Sequence, residues 1–114
     1  MTITLYGLKN CDTCKKALKA LDVAGVAHTF VDIRAEADLA ARVPAWLAAV
    51  GAARLINTRS TTWRGLSDAD KARAGTDAAA LLAAHPTLIK RPVVEADGET
   101  FVGWTEEITQ KLGA

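Results

Sequence analysis

A mixed α/β fold, with a parallel β-α-β unit followed by a β-β-α unit in one sheet, is what this 114-residue sequence predicts. Three observations point to it. A strand, an amphipathic helix and a second strand follow one another at the N-terminus. An Asp-Gly pair separates two short apolar runs near the C-terminus, and a capped helix closes the chain. Half the residues are apolar and 24% are charged, which excludes a disordered chain, and the length suffices for one core without metals or staples. No apolar run approaches the roughly 20 residues that cross a bilayer. The stretch from Met1 to Tyr6 is too short for a signal h-region and is soon followed by Lys9 and Asn10, so a cytoplasmic protein is expected. The formal net charge is +1, with acids and bases mixed, and no basic stripe marks a nucleic-acid or membrane binder.

Taken in order, Thr2-Ile3-Thr4-Leu5-Tyr6 alternates polar and apolar residues and reads as a strand that Gly7 breaks. From Asp12, Cys14, Ala17, Leu18, Leu21 and Ala24 fall on one helical face and Lys15, Lys16, Lys19 and Asp22 on the other. Gly25 stands where a C′ glycine ends such a helix. Thr29 to Ile33 reads as a second strand, parallel to the first through a right-handed crossover. Leu39 to Val50 has helical spacing and stops at Gly51. Its interior Pro44 requires a start near Ala40 or Ala41, so that the proline falls in the first turn. Arg54 to Arg64 reads as a loop with a short helical turn. Ser67-Asp68 caps a short helix stopping at Gly75, and Thr76 or Asp77 caps a helix from Ala78 to Ala84 that His85-Pro86 ends. Val93 to Ala96 and Thr100 to Val102 form a hairpin about Asp97-Gly98, and Thr105 caps a helix from Glu106 to Leu112, before Gly113. This is the thioredoxin-like (glutaredoxin-like) architecture: one domain over residues 1–114, with a helical insertion at about 38–85.

The only cysteines are Cys11 and Cys14, which excludes a secreted disulfide scaffold. Zinc would need four ligands. His28 and His85 lie far apart without finger spacing, so no metal site is expected. Cys-x-x-Cys falls between the first strand and first helix, where the fold places a redox site. Cys11 at the helix N-terminus feels about half a positive charge, and Lys9 and Lys15 add to it, so its thiolate is favoured. Cys11 is the attacking thiol. Cys14, one turn on, is either the resolving thiol or a small core residue on the apolar stripe. Arg91-Pro92 precedes a strand, where the fold carries a cis-proline facing the cysteine. An ordinary trans proline at a strand start is the alternative, and spacing does not choose between them.

Together these residues resemble the arsenate reductase (ArsC)/Spx/YffB family, with the YffB-type branch most similar. The likeness spans Tyr6-Gly7-x-Lys9-Asn10-Cys11-Asp12-Thr13, Asp32-x-Arg34, Asn57-Thr58-Arg59-x-Thr61-Thr62-Trp63 and His85-Pro86-x-Leu88-Ile89-Lys90-Arg91-Pro92. The resemblance implies a thiol–disulfide oxidoreductase with Cys11 as nucleophile, Arg91 as an oxyanion- or substrate-binding group and Pro92 in cis. It implies no bound cofactor, with glutathione or another small thiol as co-substrate. Arsenate reductases of this fold surround the cysteine with three arginines. Arg91 matches one, while Asn57 and Gly103 occupy the other two positions, so arsenate is a poor fit unless Arg59 or Arg64 compensates. The Spx branch implies a different reading, a redox-switched regulator that binds RNA polymerase. Cys14 departs from the YffB pattern, in which that position is not cysteine. The candidate catalytic residues are therefore Cys11, Cys14 and Arg91, and the candidate substrate-binding residues are Asn10, Arg59, Arg64 and Pro92. Trp46 and Trp104 read as packing, and Trp63 stays open. His28 and His85 read as caps or surface groups. The Lys15-Lys16-Lys19 face reads as solvated surface whose charge would help to recruit an acidic ligand.

Overall fold

The structure, a computed structural model, describes residues 2–114 and divides into two compact units, Met1–Ala37 with Arg91–Ala114, and Asp38–Lys90. In the first unit, β1 (Ile3–Gly7), α1 (Asp12–Val23), β2 (Thr29–Asp32), β3 (Val93–Ala96) and β4 (Glu99–Val102) are followed by the C-terminal helix Glu106–Lys111. The sheet order is β2-β1-β3-β4. β1 pairs parallel with β2 and antiparallel with β3, which pairs antiparallel with β4. This is the thioredoxin- and glutaredoxin-like topology, a βαβ unit and a ββα unit sharing one sheet.

Local chemistry explains most boundaries. The α1 stripe buries Cys14, Ala17 and Leu21, and Gly25 leaves the helix at φ 69° with its N–H donating to the Asp22 carbonyl. Gly7 closes β1 rather than interrupting it. It pairs with Asp32, and its carbonyl accepts from the Ile33 N–H at 2.9 Å. Asp97 and Gly98 turn the hairpin at φ 48° and 82°, the left-handed values of a type I′ turn. Thr105 caps the last helix by accepting from the Ile108 N–H at 3.2 Å. That helix ends at Lys111, one residue before the predicted end, with Leu112 as its C-cap. Ile3, Leu5, Ala17, Leu21, Val94, Ala96, Ile108 and Leu112 form the buried core of this unit, with Trp104 packed against it.

The second unit holds α2 (Leu39–Val50), α3 (Ala52–Leu55), α4 (Thr61–Arg64), α5 (Asp68–Thr76), α6 (Ala78–Ala84) and a 3₁₀ turn, Pro86–Leu88. We therefore number the C-terminal helix α7. The expected start of α2 near Ala40 or Ala41 is corrected. Asp38 caps the helix at Leu39, accepting from the Ala41 N–H at 3.3 Å, and Pro44 sits in the second turn. The cap and the burial of Val43 and Trp46 outweigh the lost hydrogen bond to the Ala40 carbonyl. Gly75 does not end α5, which continues to Thr76. The predicted loop from Arg54 to Arg64 contains the end of α3, all of α4, and an Ile56–Ile89 bridge between them in sequence. Leu55, Ile56, Leu81, Leu82, Leu88 and Ile89 are buried in this unit together with Val43 and Trp46.

Pro44 is exposed, so removing its ring costs little packing. Pro44→Ala restores a helical N–H, which the greater freedom of the unfolded chain partly offsets. We expect a net gain of about 1–2 kcal/mol in urea unfolding; an unchanged or lower midpoint would show that α2 has adapted to its proline.

Candidate functional site

Three residues, Leu8, Lys9 and Asn10, join β1 to α1, and Cys11 is the N-cap of the helix with extended backbone at φ −92°, ψ 120°. Its N–H donates to the Leu8 carbonyl at 3.2 Å, and its carbonyl accepts from the Lys15 N–H at 2.9 Å. As the N-cap residue it presents its thiol at the positive end of α1. Cys14, one turn on, is 0% exposed, while Cys11 is half-buried. Both are free thiols.

The two sulfurs differ in acidity for physical reasons. Burial pushes the Cys11 thiol up. The Cys14 backbone N–H and thiol, and the Arg91 guanidinium as donor and as charge, more than offset that and hold Cys11 below the ordinary thiol range. Cys14 is pushed up to about 12, chiefly by burial and also by the neighbouring Cys11 sulfur, against the opposing pull of the Leu8 N–H and the Arg91 charge. Of the two, Cys11 is the sulfur more favoured as thiolate, and Cys14 stays a thiol that donates toward it.

Arg91 precedes Pro92, whose peptide bond with it is cis. Pro92 is buried, and its carbonyl accepts from the Gly103 N–H at 2.8 Å, carrying the β3–β4 ladder one step beyond Val93–Val102. The cis form implied by the family resemblance is thus the one present. Cys11, Cys14, Arg91, Pro92 and Asn10 all belong to the sheet unit, and the first three converge on one sulfur. Arg59 and Arg64 belong to the helical unit. There, the Asn57 side-chain oxygen accepts from the Arg59 N–H at 3.1 Å. The Ser60 hydroxyl donates to the Asn57 carbonyl at 2.9 Å and accepts from the Trp63 N–H at 3.1 Å. The Thr62 hydroxyl meets that of Thr87 at 2.9 Å. Within that unit, residues 57–63 build the start of α4.

His28 lies at the far end of α1 from Cys11. Its Nδ1–H donates to the Val26 carbonyl at 2.8 Å, and its Nε2 faces Asp22 at 3.4 Å, so it ties the turn into β2. Among the described residues, no group of three or more His, Cys, Asp and Glu side chains could hold a metal ion, and no helix is long and apolar enough to cross a membrane.

Two features of the site escape a reading of the residues alone. One is the bare face of Gly7: a β-carbon there would stand 2.5 Å from the Cys14 sulfur. The other is a recess of about 460 Å³ beside the cysteine loop, lined by Leu8, Lys9, Asn10, Asp32, Arg34 and Ala35. The signal for it was Asp32-x-Arg34 directly after a parallel strand, because ligands of parallel sheets gather at the carboxyl ends of strands.

A sequence profile described as the ArsC family matches residues 6–112. An uncharacterized protein of Haemophilus influenzae is 44% identical over 107 residues, covering 92% of this chain and 93% of that one. Among solved structures, the YffB protein has a TM-score of 0.86 at 36% identity, covering 98% of this chain and 99% of that one. An arsenate reductase (ArsC) related protein from Brucella melitensis has a TM-score of 0.74 at 36% identity, covering 97% and 93%.

The contact at Gly7 yields a stability test. Gly7→Ala forces a methyl group against the Cys14 sulfur and should destabilise the fold by about 1–3 kcal/mol. In Gly7→Ala/Cys14→Ala the sulfur is gone, and the two substitutions should cost clearly less than their sum in denaturant unfolding. Strict additivity would mean that the contact relaxes freely.

Proposed function

Because the chain belongs to the ArsC family, matched over residues 6–112, we propose that it is a cytoplasmic, glutathione-linked thiol–disulfide oxidoreductase that attacks through Cys11. Family and fold support a thiol-based redox function. The finer reading rests on one observation, the split between a half-buried Cys11 held low by Arg91 and the Cys14 N–H, and a buried Cys14 pushed up to about 12. A nucleophile must be both thiolate and reachable, and Cys11 alone combines the two.

In the proposed cycle the Cys11 thiolate attacks one sulfur of a substrate disulfide. The S–S bond breaks, a Cys11 mixed disulfide forms, and the second sulfur leaves as thiolate and takes a proton from water. Arg91 stabilises the thiolate before attack, and Asn10 and Pro92 flank the incoming group. Cys14 then resolves the adduct. Once Cys11 is capped its charge is gone, so burial is the chief remaining influence that raises Cys14, and its thiol already faces the Cys11 sulfur. Loss of the Cys14 proton lets it attack Cys11, expelling the bound thiolate and closing a Cys11–Cys14 disulfide. Two molecules of glutathione reopen that bridge, leaving both cysteines reduced and one glutathione disulfide.

Timed iodoacetamide labelling with peptide mapping should find Cys11 modified well before Cys14; equal rates, or Cys14 first, would sink the assignment. The alkylation rate of Cys11 should rise with pH and level off below the ordinary thiol pKa. Arg91→Ala removes a donor and a positive charge, so the thiolate is less favoured and the midpoint should move to higher pH. Cys14→Ser should accumulate a Cys11–glutathione adduct that the wild type clears; equal accumulation would mean that Cys14 only packs and that glutathione resolves the adduct. Repeated turnover with glutathione separates this enzyme from a regulator that binds RNA polymerase and needs one redox event.

The likeness to an arsenate reductase related protein raises arsenate as a substrate. We expect little turnover. With Asn57 and Gly103 at two positions that the resemblance assigns to arginine, a multiply charged oxyanion loses most of its countercharge. Robust glutathione-dependent arsenate reduction by the purified protein would show that Arg59 or Arg64 supplies it.

A further inference from the structure

Gly7 stands apart from the other glycines of the sheet unit. Gly25, Gly98, Gly103 and Gly113 have φ between 69° and 84°, the left-handed region, whereas Gly7 pairs with Asp32 as ordinary strand backbone. Its missing side chain therefore serves space and not conformation. A β-carbon on it would stand 2.5 Å from the Cys14 sulfur and 3.3 Å from the Cys14 β-carbon, so the Cys14 side chain lies directly over this α-carbon. The peptide that follows, Gly7–Leu8, is engaged at both ends. Its carbonyl accepts from the Ile33 N–H at 2.9 Å, and its N–H, that of Leu8, donates to the Cys14 sulfur. A peptide group that accepts at one end is polarised into a better donor at the other. The Leu8 carbonyl in turn accepts from the Cys11 N–H at 3.2 Å, so both cysteines are hydrogen-bonded to Leu8.

We propose that the Gly7–Leu8 peptide positions Cys14 for the resolving step, the bare α-carbon of Gly7 admitting the sulfur and the Leu8 N–H stabilising it as thiolate. The inference rests on the reading of Cys14 as resolving thiol and adds the group that lets a fully buried sulfur carry charge. Before the step, the Cys14 thiol donates to the Cys11 sulfur and accepts from the Leu8 N–H. When Cys11 is held in a mixed disulfide, the Cys14 proton leaves to water. A buried anion is costly unless it is hydrogen-bonded, and here the Leu8 N–H is the donor, with the Arg91 charge a smaller attraction. The Cys14 electron pair then forms the bond to the Cys11 sulfur. The bond from Cys11 to the substrate sulfur breaks, and the substrate thiolate leaves and takes a proton from water. The oxidising equivalents come from the substrate disulfide. Cys11 and Arg91 are the ionisable groups that act on Cys14, so neither Gly7 nor Leu8 adds a proton of its own to the step. Both act through Cys14 and are positioning residues.

The test follows two steps of one reaction. Reduced protein is mixed with glutathione disulfide and quenched in acid at intervals. Mass spectrometry then measures the Cys11–glutathione adduct and the closed Cys11–Cys14 disulfide that replaces it. Cys11 is a natural junction for joining a synthetic thioester of residues 1–10 to residues 11–114, so an ester can be built in place of the Gly7–Leu8 amide. The ester removes the Leu8 N–H and leaves every side chain as it was. In the ester protein, adduct formation should stay within about threefold of wild type, while closure slows roughly tenfold or more. The pH at which closure accelerates should move up, because a thiolate that loses a donor is less favoured. Gly7→Ala, whose methyl group drives the sulfur from its seat, should show the same split between the two steps. Circular dichroism checks folding, and if Gly7→Ala does not fold the ester protein decides. Closure in the ester protein at the wild-type rate and pH dependence, or an equal slowing of both steps, would overturn the role of this peptide. A wild type that forms the adduct and never closes it would overturn Cys14 as resolving thiol. One that forms no adduct would overturn the functional reading itself, and this inference falls with either.

Discussion

With no side chain at Gly7, the Cys14 sulfur occupies the space over the last residue of β1, and this contact sets how closely α1 approaches the sheet. Gly7 also passes its carbonyl to the Ile33 N–H, so one residue carries the strand pairing on one side and the helix seat on another. Only three residues separate it from Cys11. A connection that short leaves the N-cap little freedom, and the position of the Cys11 sulfur follows from the seat of the helix. Arg91, at the entrance to β3, is fixed relative to the same point because β1 and β3 pair directly.

The chemistry of the pair follows from the difference in depth between its members. One turn of helix carries the chain from a half-buried cap to a fully buried core position. Desolvation and the Arg91 charge act on both sulfurs, but only the outer one has enough donors, the Arg91 guanidinium among them, to overcome its burial. The inner thiol is then a donor toward the outer sulfur. Net charge says nothing of this, since a chain at +1 still gathers Lys9, Arg34 and Arg91 around one end of one sheet.

The elements that were legible in the sequence are those with local codes. The α1 stripe, Gly25, Asp97-Gly98 and the Thr105 cap each act within a few residues, and each stands where its chemistry puts it. Pro44 and Gly75 were misleading because their penalties are also local, and α2 and α5 extend through them. Cys11, Cys14, Arg91 and Pro92 stood out as candidates through motif and strand context. The recess did not, because Lys9 and Arg34 are 25 positions apart in sequence and come together only when β2 pairs beside β1. Likewise, Arg54 to Arg64 read as a polar loop with a short helical turn, and much of the hydrogen bonding of residues 57–63 goes into starting α4.

The depth of Cys14 also bears on how this sequence can vary. Position 7 can gain a side chain only if position 14 gives up its sulfur, and position 14 can grow no larger while the helix stays seated over position 7. The two sites, seven residues apart, share one small volume, so the size of one limits the size of the other. Small residues such as serine or alanine at position 14 fit that volume, so a single substitution there removes the inner thiol and leaves the helix seated with the outer cysteine at its start.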